Sequence, residues 1–180
     1  MNADVVMKIM FDYQDLSEES LKGLALPLEK KLLRWIAMNH PDNRTRLFFY
    51  RMTNVQIGEG TVINRNLVIS DDYEPLVSIG ERVAISPNVT LIAASAPNNS
   101  LVARFPGIGS SIIKKAAIRI EDDAWIGANV TILPGLTIGR CSVIGAGSVV
   151  TKNIPAGVIA CGVPAKVIKK IAEFERENTS

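Results

Sequence analysis

One histidine and two cysteines are the only imidazole and thiol groups in 180 residues. A trihistidine zinc centre is therefore excluded, and Cys141 and Cys161 have no metal-ligand spacing, so no metal site is expected. No base is evident at the repeat position of either cysteine, and both read as inert thiols. No apolar run is long enough to span a bilayer, and residues 1–10 carry Asp4 and lack the charged-then-apolar order of a signal peptide, so no membrane partner and a cytoplasmic location are expected. Charge of one sign is missing too. Lys plus Arg number 20 against 18 for Asp plus Glu, with no dense basic run, which argues against a nucleic-acid partner.

What the chain does have is a period. From 120 to 155 an aliphatic residue returns every sixth position, at Ile120, Ile126, Ile132, Ile138, Ile144 and Val150, with small or turn-forming residues between. A period of six fits neither a helix at 3.6 nor a plain alternating strand; it fits a short strand plus a turn, stacked on copies of itself. The same register runs upstream through Ile57, Ile63, Ile69, Ile79, Ile85 and Leu91, broken by four extra residues after Ile69 and twenty-three after Leu91. Three hexapeptides per turn make four coils, starting at Ile57, Ile79, Ile120 and Ile138, and both insertions then leave from one corner. Coils stack about 4.8 Å apart, so Asp71 and Asp72 should lie beneath the start of the long excursion at 93–117. Rigid scaffolds carry function on such loops.

Around this solenoid the chain divides into a helical capping segment (1–52), the hexapeptide coil with its inserted loop (53–156), and a tail (157–180). Residues 1–13 carry no strong signal. Ser17 is a good N-cap, Glu18 and Glu19 fill a first turn, and Leu21, Leu24, Leu28, Leu32 and Ile36 follow at helical spacing, with a split expected near Pro27. The stripe would plug the open end of the coil. His40, before Pro41, reads as a packing or surface residue, and the stretch from Arg44 to Tyr50 shows no recognisable site. Val167, Ile168, Ile171 and Phe174 point to a short amphipathic C-terminal helix within 165–178.

Three stretches, Ile126-Gly-Ala-Asn-Val-Thr-Ile-Leu-Pro-Gly-Leu-Thr-Ile-Gly, Val143-Ile-Gly-Ala-Gly-Ser-Val-Val-Thr-Lys and Ala160-Cys-Gly-Val-Pro-Ala-Lys-Val-Ile, resemble the hexapeptide-repeat acyltransferases, specifically the galactoside, maltose and sugar O-acetyltransferase branch. The resemblance covers roughly 53–171. It implies an all-β fold, a left-handed parallel β-helix, although the general crossover rule would have favoured a right-handed connection. It also implies a homotrimer that binds acetyl-CoA as co-substrate in a groove between subunits and acylates a small acceptor such as a sugar. Position by position, the cofactor contacts fall on Ala128, Ala146, Thr151, Lys152, Lys166 and Lys169. Ala128 and Ala146, eighteen residues apart, share one corner of consecutive coils, where small side chains admit a pantetheine arm, and the lysines would meet phosphates. Acceptor positions fall on Asn64 and Asp72, with Asn98 and Asn99 in the loop beside them.

One position departs from the resemblance. The family's catalytic histidine, just before a proline, is replaced by Ala96 before Pro97. Alanine accepts no proton, and a positioned base contributes roughly 10²- to 10⁴-fold in rate. Three readings stand: a natural subgroup in which Asp72, Ser95, Asn98 or Asn99 orients an acceptor needing little deprotonation, such as a sugar amine; a catalytically inactive CoA-binding or structural trimer; or an introduced substitution. The coherent change of the whole Ser95-Ala-Pro-Asn-Asn-Ser run favours the first. A nucleotidyltransferase on this fold would need a further phosphate-binding domain, for which fifty N-terminal residues are too few.

Overall fold

The computed structural model describes residues 3–105 and 114–172. Four helices come first: α1 (Ala3–Phe11), α2 (Glu18–Ala25), α3 (Lys30–Asn39) and α4 (Asn43–Met52). The Ser17 hydroxyl accepts from the Ser20 N–H at 3.1 Å, satisfying one of the donors left over at a helix start. The split falls at Pro27, as expected. Two helices went unread in the sequence. α1 occupies the stretch without a signal, and α4 covers Arg44 to Tyr50, its start capped by the Asp42 carboxylate accepting from the Thr45 N–H at 2.8 Å, its Phe49 and Tyr50 wholly buried.

The chain then winds over three parallel sheets in turn. Sheet A holds β1 (Gln56–Ile57), β4 (Val77–Ile79), β9 (Ile118–Ile120) and β12 (Thr137–Ile138). Sheet B holds β2 (Val62–Ile63), β5 (Ala84–Ile85), β10 (Trp125–Ile126) and β13 (Val143–Ile144), and sheet C holds β3 (Val68–Ser70), β6 (Thr90–Ile92), β11 (Thr131–Ile132) and β14 (Val149–Val150). Each aliphatic anchor pairs with the one predicted for the next coil, from Ile57 with Ile79 to Ile132 with Val150. Every anchor except the half-buried Ile57 is buried, at about 1.5–3 kcal/mol for each side chain. The six-residue period has a backbone cause: the residue three places after an anchor takes a left-handed φ, at Gly60, Asn66, Asp72, Arg82, Asn88, Asp123, Asn129, Gly135, Cys141 and Gly147. Gly, Asn and Asp tolerate that region best, which is why they punctuate the repeat.

Both ends of the coil are closed. In the first coil, Ile63 turns its N–H and C=O away from the second coil, where they meet Asn43 Oδ1 (2.9 Å) and Arg46 Nε (2.8 Å). Tyr50 donates to the Leu67 carbonyl at 2.7 Å, and Arg51 to that of Ile57 at 3.0 Å. The helical segment therefore plugs the edge with directed donors as well as with apolar area. At the other end Ile154 bridges Ile138, and β15 (Val158–Cys161) continues sheet B beside β13.

The expected C-terminal helix is corrected over its first part. Residues Lys166–Lys170 form β16, antiparallel to β15, with Cys161 opposite Lys166 and Ile159 opposite Lys169. Val167 and Ile168 are β-branched, and the otherwise open edge of β15 rewards a strand there over an isolated helical turn. Ile171 follows the strand, its N–H donating to the Gly157 carbonyl at 2.8 Å, and Phe174 with the rest of 173–178 lies outside the described residues.

Candidate functional site

The two insertions share the corner between sheets C and A. The long excursion leaves as β7 (Ala94–Ser95) and returns as β8 (Lys114–Lys115), paired antiparallel, and the Ser70 hydroxyl donates to the Ala94 carbonyl at 2.8 Å, tying the excursion to the turn beneath it. Between them lies a cleft of about 450 Å³. Ser70, Thr90 and Ile92 form its floor, and Asp72, Ser95, Ala96 and Asn98 its rim. Four positions expected from the sequence thus meet in one place. Asn99 lies in the adjoining exposed turn, and Asn64 follows β2 at a different corner, its amide donating to the Ile85 carbonyl at 3.1 Å, so the chain does not bring it into the cleft.

Among the described residues, Asp72 is the one ionisable residue lining the cleft. Its carboxylate is 3.4 Å from the Lys115 ammonium, which also bonds Glu74. The hydrogen bond that Lys115 donates to Glu74, with a further one to Asp72, holds it above the ordinary lysine range. Lys115 therefore stays charged and is unsuited to act as a base. Neither Lys115 nor Glu74 was legible in the sequence, because the return strand meets the turn 41 residues away.

The single histidine cannot serve the cleft either. His40 is wholly buried among the helices, where Nδ1 accepts from the Asp42 N–H at 3.1 Å, leaving Nε2 to donate to the Ile9 carbonyl at 3.0 Å. Tyr13 meets the ring edge-on at 4.6 Å. It is a packing residue, as expected.

The remaining sequence candidates lie toward the opposite end of the stack from the helices. Ala128 and Ala146 share the corner after β10 and β13, where the Gly147 N–H donates to the Ala128 carbonyl at 2.8 Å. The corner is tight: a Cβ on Gly127 would sit 2.6 Å from the Ala146 nitrogen. Thr151 and Lys152 follow β14 and are exposed, as are Lys166 and Lys169 on β16. Continuing the register of Ser70 with Ile92, and of Ile132 with Val150, aligns Ser70, Ile92, Leu133 and Thr151 along the outward side of sheet C. That line runs from the cleft to the exposed threonine over three strand steps, roughly 14 Å. A separate groove of about 550 Å³ crosses sheet A between Gln56, Ser78 and Arg119, and none of the sequence candidates lines it. Among the described residues no three His, Cys, Asp or Glu side chains gather as metal ligands, and no helix is long and apolar enough to cross a membrane.

Residues 117–152 match the family model described as bacterial transferase hexapeptide (six repeats). The chain is 42% identical over 136 residues to galactoside O-acetyltransferase of Escherichia coli (strain K12), covering 72% of this chain and 61% of that protein. In structure it is similar to a hexapeptide-repeat-containing acetyltransferase of Vibrio cholerae O1 biovar eltor complexed with acetyl coenzyme A, with 27% identity and a TM-score of 0.64 over 93% of this chain and 98% of that one. It is likewise similar to a galactoside acetyltransferase in complex with coenzyme A, with 34% identity and a TM-score of 0.64 over 82% of this chain and 81% of the other. The chain spans 56–62% of the length of the first three curated relatives it matches.

Proposed function

The chain belongs to the hexapeptide-repeat acyltransferases, in their galactoside, maltose and sugar O-acetyltransferase branch, and we propose on that footing that it transfers an acetyl group from acetyl-CoA to a small acceptor, a sugar or amino sugar, seated in the cleft at Asp72. The coil is then left-handed, and the working unit is a homotrimer with acetyl-CoA lying between neighbouring copies. The observation that most supports the reading is the outward line on sheet C, which leads from Thr151 to the floor of the cleft.

Ala128 and Ala146 leave their corner clear for a pantetheine arm, and Lys152, Lys166 and Lys169 offer charges for the cofactor phosphates. The thioester, when bound, supplies an acyl carbon open to attack. Asp72 accepts a hydrogen bond from a hydroxyl or neutral amine of the acceptor, whose proton passes to solvent as the CoA thiol leaves, while Asn98 and Ser95 offer hydrogen bonds that fix its orientation. Ala96 can take no proton, so an acceptor nucleophile that needs little deprotonation, such as an amine, suits this cleft better than a hydroxyl. Proximity alone contributes about 7–11 kcal/mol to such a transfer.

Acetyl-CoA binding by calorimetry, with thiol release followed against a panel of sugars and amino sugars, tests this directly. Binding together with thiol release is expected. No binding would remove the cofactor assignments to Ala128, Ala146 and the lysines. Ala96 supports a second reading, a trimer that binds CoA without turnover; binding in which only Ala96→His releases thiol would establish it.

A further inference from the structure

We infer that Arg34, on a helix of the capping segment, is a positioning residue for Asp72, so that the N-terminal helices form part of the acceptor site as well as plugging the coil. The inference rests on the acetyl-transfer reading above. Arg34 is buried, and its guanidinium uses all five of its donors. Nε bonds Thr53 Oγ1 at 2.9 Å; Nη2 bonds the Thr53 carbonyl at 3.0 Å and Asp71 Oδ2 at 3.1 Å; Nη1 bonds the Ile69 carbonyl and Asp71 Oδ1, both at 3.3 Å. The two bonds to Asp71 make the parallel, fork-shaped pairing that fixes a carboxylate in one orientation.

The fixed carboxylate in turn holds the next two residues. Asp71 Oδ1 accepts from the Tyr73 N–H at 3.0 Å, the Tyr73 ring lies 5.3 Å from the Arg34 guanidinium carbon, and Asn54 donates to the Tyr73 carbonyl at 2.6 Å. Tyr73 has a φ of +58°, directly after the corner residue Asp72 at +53°. Asp72 sits where the repeat calls for a left-handed residue; Tyr73 does not, and a bulky side chain keeps that conformation only when its surroundings over-determine it. Asp72 is thus pinned between two residues that Arg34 grips, and its carboxylate is delivered to the rim of the cleft. A buried ion pair is poor evidence of stability, since apolar side chains of similar size often serve a fold as well, so what this one supplies is a fixed turn.

The test is a double-mutant cycle of Arg34→Lys and Asp72→Asn, with KM measured separately for acceptor and acetyl-CoA and with hydrogen exchange of the Tyr73 amide followed by NMR. Lysine keeps the charge and loses the fork. Arg34→Lys should raise the acceptor KM roughly tenfold with the acetyl-CoA KM changed less than about twofold, and speed Tyr73 exchange roughly tenfold. In the Asp72→Asn background its effect on the acceptor KM should vanish. Additive effects, both KM values rising together, or unchanged Tyr73 exchange would overturn the assignment. Should Arg34→Lys not fold, the charge-free pair Arg34→Met with Asp71→Asn is measured in its place, with the same outcomes. If the unaltered chain releases no thiol, the transfer reading and the acceptor role fail together, while Tyr73 exchange still decides whether Arg34 fixes the turn.

Discussion

Arg46 offers the sharpest stability test of how the helices close the coil. It is buried, and it donates to the carbonyls of Ile63 (2.8 Å), His40 (2.7 Å) and Pro41 (2.6 Å). Burial holds its pKa below the ordinary arginine value. Arg46→Met keeps much of the apolar stem and removes every donor. Ile63 and His40 are wholly buried, and each buried carbonyl left without a donor costs about 1–3 kcal/mol. Relief from burying a charge offsets part of this, leaving a net loss of about 2–4 kcal/mol. For a chain of this size that corresponds to a melting point roughly 5–15 °C lower. Arg82 is the control. It contacts Asp123 (2.7 and 3.0 Å) and Glu81 (2.9 Å) with as many polar bonds, but in solvent, so Arg82→Met should move the melting point little. Calorimetric melting of both variants in one buffer decides the matter. Equal shifts would mean that directed capping of the first coil does not matter to stability.

Two further outcomes are expected. Gly127→Ala should cost about 1–3 kcal/mol and weaken acetyl-CoA binding, because its Cβ would lie 2.6 Å from the Ala146 nitrogen and 2.7 Å from the Ile144 oxygen, both backbone; Gly147→Ala, with nothing within 4 Å and only its φ of +71° against it, should cost less, and melting with calorimetry orders the two. Burial pushes the Asp42 carboxyl up, but its bonds from Thr45 and the charge of Arg44 outweigh this and leave it below the ordinary value of 3.8. The stability it adds is therefore present above pH 3.8 and lost as pH falls through its lower folded value, so the gap in melting point between the unaltered chain and Asp42→Asn should close in acid. A gap independent of pH would refute this.

The coil was legible because its anchors recur at a fixed spacing, and a stacked period specifies partners far apart in the chain. The cleft was legible for the same reason: two breaks in the period point to one corner. What escaped lay outside the period. Asp71 was legible only as part of the first break in the period, yet it is clamped by Arg34, 37 residues earlier, and no local pattern announces that pair. α4 was missed because Thr45 and Arg46 are buried beside Phe49 and Tyr50, so its inward face carries no continuous apolar stripe. The continuation past Val150 was missed because Ile138 meets Ile154, and Ile144 meets Ala160, after sixteen residues where the repeat would predict eighteen. Val167, Ile168 and Ile171 fit either a helix or a strand, and the free edge of β15 decided between them over 166–170.

Both insertions open from the corner between sheets C and A, and each rejoins sheet A in the register it would have had without the detour. The coil therefore does not register how much chain is spent there. With Asp71 kept for Arg34, the length and composition of the long excursion can be exchanged while the ladder contacts and the alanine corner stay where they are. The molecule separates like a socket with a replaceable face: on the proposed transfer reading, selectivity for the acceptor can be rewritten at the rim without renegotiating the grip on the cofactor.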